Sequence, residues 1–370
     1  SGVDAKALLQ GLMTNDITLL DEDNGRLPCI SAAFLNPKGR VIADALVTRS
    51  PRHDAKRKPL YKLRSKVKIK DATALYDVLV SGVRDPWHEA LSGRGGGVSP
   101  PGVEPFVDGD GAGDRGARFP DPRCAALGVR LIRPKGERDP DGADWPGGDP
   151  VVPEDRYHAL RLVNGVGEGS ELLDSIPLES NLDLLGSISF KKGCYVGQEL
   201  TARTHFKGFV RKRVLPVLFP GEGTHTTAAP PIRDAFSVFS DAESCQGLLL
   251  SRWDLEGNEV ATPQAGSKLV DQAAGERKLG ALVAVSPDYN VGLALLRLAE
   301  VISPASRGSG ASKADYMASA EGKGGGSALP AVDCRVVDES RQGEDRRRCM
   351  PLTPSWWPVD LDPTTGKVPA

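Results

Sequence analysis

"KKGCYVGQELTART", residues 191–204, sets one cysteine between two lysines and a glutamine–glutamate pair, with a glycine on either side. The preceding "ISF" (188–190) is short, apolar and strand-like, and "YVGQELTART" has the composition of a helix. The spacing therefore predicts a glycine-bracketed turn that opens a helix. A thiol at a helix start meets the positive end of the helix dipole, and neighbouring lysines add to it; both favour the nucleophilic thiolate. Gly193 and Gly197 permit close approach by backbone or ligand. Glu199 and Arg203, four apart, suit a pair on one helix face, and Gln198 and Lys192 can meet a ligand bearing carbonyl and amide groups. Blander readings stand beside these: Cys194 as a packed structural thiol, the lysines as solvated charges, Glu199–Arg203 as a helix staple. His205 follows Cys194 by eleven residues, a weak basis for a Cys–His dyad. The stretch alone yields a candidate reactive thiol and no reaction.

Upstream, Val3, Ala7, Leu8 and Leu12 fall at helical spacing, and "TND" (14–16) is a turn signal. "ISAAFLNPKGRVIADALVTR" (30–49) reads as two strands joined at "NPKG". Val67 and Ile69 alternate with lysines as in a half-exposed strand. Two Gly/Pro/Asp-rich stretches near 92–122 and 134–153 read as inserts. Between them "CAALGVRLIRP" (124–134) is strand-like, and "EDRYHALRLVNGV" (154–166) is helical. From Phe209 the pattern becomes all-β: "FVRKRVLPVLF" (209–219) starts solvated, with Arg211 and Arg213, and ends apolar on both faces. "KLGALVAVSPDYNVGLALLRL" (278–298) carries two runs about a Pro-Asp-Tyr-Asn turn. Short strands at this spacing predict a small barrel or sandwich. Residues 303–350 are Gly/Ser/charge-rich, and "PSWWPVDL" (354–361) is expected to dock back on the body. The reading gives an α+β region over 1–208, a β-barrel over 209–302, and an insert with a Trp-containing tail over 303–370.

The 370 residues balance 47 Lys and Arg against 49 Asp and Glu, a formal charge of −2, which argues against wholesale binding to nucleic acid or membrane surfaces. No apolar run reaches the length of a membrane-spanning helix. The closest of the six cysteines, Cys334 and Cys349, are fifteen residues apart. Neither a C-x-x-C element nor a paired-histidine motif occurs, so a reducing compartment fits best.

Taken together, "KGCYVGQE" resembles the K-G-C-[FY]-x-G-Q-E signature of the folate-binding YgfZ proteins and their mitochondrial iron–sulfur assembly relatives. "LLQGLMTNDI", "FLNPKGRVIADALV", "IPLESNLDLLGSISFKKGC" and "GLALLRL" resemble further stretches of that family, in the same order. The resemblance covers roughly 3–50, 60–90 and 155–300. It implies a fold like the glycine-cleavage T-protein (aminomethyltransferase): antiparallel α/β layers and a C-terminal β-barrel around a central, folate-sized opening. It also implies maturation of 4Fe–4S proteins in the mitochondrial matrix, an upstream transit peptide, A-type iron–sulfur carriers as partners, and tetrahydrofolate as a ligand. Cys194 becomes the signature cysteine, a reactive thiol or a ligand to a transient shared iron–sulfur cluster. Lys192, Tyr195, Gln198, Glu199, Arg203 and Asn15 are expected at the folate opening. The chain alone is expected to be a monomer.

Two departures from the family pattern matter. T-proteins carry adjacent acids in the first hairpin, where this chain has Ala43 and Asp44. Asp44 can match the second acid as an acid/base group, but the pair is lost, which weakens a folate-dependent aminomethyl transferase as the alternative function. A non-catalytic interaction scaffold is the third reading. Also, only about a dozen residues separate "ALVTRS" from "KLRSKVKI", where the family places a further strand and helix. Extra residues near Ser50 and before residue 1 are therefore expected in the full protein, and an intact mass of 39.3 kDa would contradict that.

Overall fold

The computed structural model describes residues 4–21, 27–48, 74, 76–81, 117–135, 154–219, 233–234, 263–287, 289–302, 333–337, 347–354, 356–358 and 360–368. The expected strand at Val67 and Ile69, and the bulk of both Gly-rich stretches, lie outside them. Chain contacts divide the protein into two units. One comprises 1–85, 92–156 and 168–203; the other comprises 86–91, 157–167 and 204–370. The fold class is α+β.

In the first unit, helix α1 (Ala5–Leu12) forms where the periodicity places it. Strands β1 (Cys29–Leu35) and β2 (Val41–Thr48) pair antiparallel about the expected turn. Asn36 organises that turn: its Oδ1 accepts from the N–H groups of Lys38 and Arg40, and its carbonyl accepts from Gly39. Met13, Ile17, Leu20, Ile30 and Ala32 bury one face of the hairpin under α1 and the 3-10 turn that follows it. A second sheet has the order β3 (Tyr76–Ser81), β5 (Val129–Pro134), β4 (Ala117–Pro120), all antiparallel. Strand β4 corrects the expectation that the first insert runs to 122. Phe119, only 2% exposed, anchors the end of that stretch in the core.

Between the end of β4 and β5 lies a charge network that the sequence does not announce. Arg123 grips Asp121 through Nε and a terminal nitrogen (2.9 and 2.7 Å), and Arg130 Nε donates to the same carboxylate at 3.0 Å. Both guanidinium groups also reach Glu168, at 2.5 and 2.9 Å. Burial of Asp121 raises its proton affinity, but bonds and charge from Arg123, then Arg130, outweigh it and hold the carboxyl below the ordinary aspartate value. A depressed carboxyl stabilises the fold above pH about 4 and loses that contribution as pH falls through its lower folded value. We expect the urea midpoint to fall as pH is lowered from 6 towards 3. In Asp121→Asn the midpoint should be lower throughout and less steep in pH.

The second unit is built on a seven-stranded sheet in the order β11 (Cys334–Val337), β8 (Lys268–Asp271), β9 (Arg277–Val285), β10 (Val291–Arg297), β6 (Lys212–Leu218), β12 (Met350–Thr353), β7 (Arg233–Asp234). All neighbours are antiparallel except β12 and β7. The sheet closes on itself. Arg335 of β11 bridges Arg348, Val336 N–H donates to the Arg347 carbonyl, and Cys349 N–H donates to the Cys334 carbonyl, so the chain entering β12 lies along β11. This is the expected barrel, with a difference in its parts. Strands β11 and β12 come from the stretch assigned to a separate tail, and they complete the barrel because 209–302 supplies too few strands to close it.

Strand β10 is apolar on both faces for a physical reason. Val291 and Leu293 pack with Ala159, Leu162 and Val163 of helix α2 (Glu154–Val163), while Ala294 and Leu296 on the opposite face are equally buried. The expected solvated start of β6 is corrected at Arg213, which is 1% exposed. Its guanidinium donates twice to the Gly366 carbonyl, at 2.9 and 3.3 Å. The C-terminal residues thus supply the acceptor that lets an arginine be buried. They dock as expected: Trp356 Nε1 donates to the Asn164 carbonyl, and Lys367 Nζ to that of His205. Helix α3 (Gln198–Phe206) and the single turn α4 (Leu298–Val301) complete the described helices.

Candidate functional site

The stretch 187–197 is irregular rather than strand-like, and α3 begins only at Gln198. At the centre of Ile188–Phe190 the backbone partner belongs to the "TND" loop and not to a neighbouring strand. Ser189 N–H donates to the Thr14 carbonyl, and Thr14 Oγ1 donates to that of Ser187. Thr14 also pairs with Ala33 of β1 through both its backbone and its hydroxyl. Asn15 Nδ2 donates to the carbonyls of Ser31 and Gly186 at 2.7 and 2.8 Å, and its Oδ1 accepts from Asp16 N–H. The sequence element read as a turn signal is therefore a buried clasp between β1 and the signature stretch.

Lys192 closes the clasp. Its ammonium donates to the carbonyls of Gln10, Met13 and Asn15 at 2.6, 2.6 and 3.1 Å, and lies 4.9 Å from the centre of the Tyr195 ring. These carbonyls include the C-terminal end of α1, where the helix leaves acceptors unused and carries partial negative charge. Burial lowers the affinity of Lys192 for its proton, partly offset by the charge of Asp16. Burial works the other way on Asp16, but Thr18, Gln10 and Lys192 together hold that carboxyl below its usual value. Replacing Lys192 by Met should lower unfolding free energy by about 2 kcal/mol, because three carbonyls lose a charged donor while water recovers part of the loss. Urea titration of the two proteins reads this directly.

The other side of the loop is set by two glycines. Gly39 at the hairpin turn and Gly197 of the signature both have φ +79°, and a Cβ added to Gly197 would stand 3.3 Å from the Gly39 Cα. The two motifs "NPKG" and "GQE" lie against each other with no room for a side chain. Gln198 Oε1 accepts from Tyr195 N–H at 3.2 Å and fixes the turn into α3.

What this rigid frame presents is Cys194. Of the five described cysteines it alone is exposed; Cys29, Cys124, Cys334 and Cys349 are buried. Burial pushes the Cys29 thiol up to about 12 and raises that of Cys124, which suits structural thiols. Cys194 lies four residues before the first residue of α3, outside the turn over which a helix dipole acts. The expected helix-start position is corrected accordingly. Its sequence neighbours Lys191, Gly193 and Val196 are exposed, as are Glu199 and Arg203 of α3. Glu199 and Arg203 form no ion pair among the described residues; both side chains face solvent. His205 lies in the last turn of α3, at the far end from the loop that carries Cys194. Asp44 accepts from Gly169 N–H at 2.9 Å and ties β2 to the 3-10 turn Gly169–Glu171.

Of the residues expected at a folate opening, Lys192 and Asn15 spend their polar groups on the protein itself, Gln198 engages it through Oε1, and burial raises the affinity of the Tyr195 hydroxyl for its proton. Lys192 and Asn15 are thereby taken out of that set, while Glu199 and Arg203 stay exposed. The sequence reading missed Gln10, Met13, Gly39 and Thr14 as parts of the site. The only signal for them was the co-occurrence of "TND" and "NPKG" with the signature. Among the described residues no group of three or more His, Cys, Asp or Glu is placed to hold a metal ion, and no helix is long and apolar enough to cross a membrane.

No family model matches the chain. Curated relatives do. The iron–sulfur cluster assembly factor IBA57 homolog of Mycosarcoma maydis, a mitochondrial protein by its name, is 32% identical over 97% of this chain and 82% of its own length. The Cryptococcus neoformans homolog is 31% identical over 80% of each chain. That of Neurospora crassa is 35% identical over 63% of this chain and 53% of its own. Among solved structures, the aminomethyltransferase T of the Bartonella henselae glycine cleavage system aligns at 13% identity and a TM-score of 0.45, covering 95% of this chain and 81% of that one. The chain belongs to the family of mitochondrial iron–sulfur cluster assembly factors called IBA57 homologs.

Proposed function

We propose that this protein matures 4Fe–4S proteins in the mitochondrial matrix by presenting Cys194 as one ligand to a cluster shared with an A-type iron–sulfur carrier. Iron–sulfur assembly and the mitochondrial setting follow from family membership. The finer reading rests on one observation: among the described residues Cys194 is the single exposed cysteine, on a loop held from both sides by contacts with the protein. A cluster takes about four thiolate ligands, so one such thiol acts by completing a set that a partner supplies. A fixed loop lowers the ordering cost of that encounter.

Tetrahydrofolate enters the proposal as a ligand to be tested, and no step is routed through it. Glu199 and Arg203 remain as solvent-facing groups able to meet its charged portion. The transferase alternative depended on Asp44, whose carboxylate is engaged by the Gly169 N–H.

The direct test is depletion and complementation. Cells lacking the protein should lose activity of 4Fe–4S enzymes while 2Fe–2S enzymes are retained, and the gene should restore it. Equal loss of both cluster types would contradict the reading.

A further inference from the structure

Cys334 and Cys349 lie directly opposite each other where the barrel closes. Cys349 N–H donates to the Cys334 carbonyl at 2.9 Å, and the next residues, Arg335 and Arg348, form the adjoining bridge. Directly opposed residues of a hydrogen-bonded antiparallel pair have Cα atoms about 5.5 Å apart, inside the range a disulfide spans without moving the backbone. Both residues are buried, at 1% and 3% exposure. We propose that Cys334 and Cys349 are a reversible redox pair, closing the barrel seam with a disulfide when the compartment becomes oxidising. The proposal is independent of Cys194 and of the assembly role.

The oxidant belongs to the class of low-molecular-weight disulfides. One protein thiol, deprotonated, attacks the small disulfide; a mixed disulfide forms, and one small thiolate leaves and takes up a proton. The second protein thiol then attacks the mixed disulfide and expels the other small thiol. Two protein S–H bonds are lost, one S–S bond forms, and the small disulfide is reduced to two thiols. Burial, reinforced by the Cys334 thiol beside it, holds the Cys349 thiol well above its ordinary value. Exchange in the closed barrel is therefore slow. It proceeds when Arg347–Cys349 detaches from β11, a local opening that breaks the two hydrogen bonds from Val336 and Cys349. Once made, the bond encloses residues 335–348 and restrains the unfolded chain, raising Tm by about 5 °C.

The test equilibrates the full chain across ratios of reduced to oxidised glutathione, caps free thiols, and maps peptides without reduction. A cross-linked Cys334–Cys349 peptide should accumulate with oxidised glutathione. The accompanying rise in Tm should vanish in Cys334→Ala and in Cys349→Ala. Both cysteines fully capped at the most oxidising ratio that preserves the fold would overturn the proposal. So would a cross-link joining either cysteine to Cys194 in its place, or a Tm rise that persists in Cys349→Ala. Mapping of the unmutated chain decides the matter even if a variant folds poorly.

Discussion

Gly197→Ala should destabilise the protein by roughly 3 kcal/mol or more and lower its Tm by about 6 °C or more. The added Cβ would stand 2.4 Å from the Asn36 carbonyl oxygen and 2.8 Å from the Leu35 Cβ, both in or beside β1. Neither can yield cheaply. Leu35 is 3% exposed, and Asn36 holds the hairpin turn through its own hydrogen bonds. The backbone adds a second cost, because φ +79° is a region that residues with a Cβ enter at about 1–2 kcal/mol. Gly193, four residues earlier in the same loop, is the control: a Cβ there meets nothing within 4 Å. Gly193→Ala should leave Tm unchanged within about 0.5 kcal/mol of stability. Thermal melts of the three proteins distinguish a loop fixed by the Gly39–Gly197 contact from one whose glycines are incidental. Equal Tm values for both variants would refute the contact as the source of the loop's rigidity.

Cys194→Ser should have the largest functional effect and almost no structural one. The side chain is exposed and has no packing role, so its replacement should change stability by no more than about 0.5 kcal/mol. The hydroxyl is a poor substitute for a thiolate as an iron ligand. In the complementation assay, the variant should accumulate to normal levels yet leave 4Fe–4S enzyme activity near that of the depleted cells. The buried cysteines provide the contrast. Cys124→Ala, beside the Asp121 network, should lower stability while the surviving folded protein retains maturation activity.

The sequence speaks clearly where structure is local and is silent where it is not. Helix α1, the β1–β2 hairpin and the β9–β10 hairpin are legible because periodicity and turn chemistry act over a few neighbouring residues. Arg213 is misread as solvated because the carbonyl that accepts its guanidinium belongs to Gly366, 153 positions away. Strand β4 hides at the end of a Gly-rich stretch, since its only strong signal is one phenylalanine. The barrel's last strands are obscured in the same way, as short apolar runs within a Gly/Ser/charge-rich stretch. At the site, the signature points to Cys194, and the structure leaves that thiol exposed. Lys192 and Asn15 are equally conspicuous by type and position. Their carbonyl partners are nonetheless distant in sequence, Lys192 reaching Gln10 across 182 positions. Residue chemistry shows that a lysine wants acceptors; only the fold shows that it has already found them.

In the function proposed above, Cys194 supplies one ligand to a cluster held jointly with a carrier. Anaerobic co-purification with an A-type carrier, followed by optical and electron paramagnetic spectra and iron analysis of the complex, tests it most directly. The prediction is a complex that holds a cluster with the unmutated chain, and a complex of the same stoichiometry but without that cluster for Cys194→Ser. The same iron content and the same spectra from both complexes would contradict it.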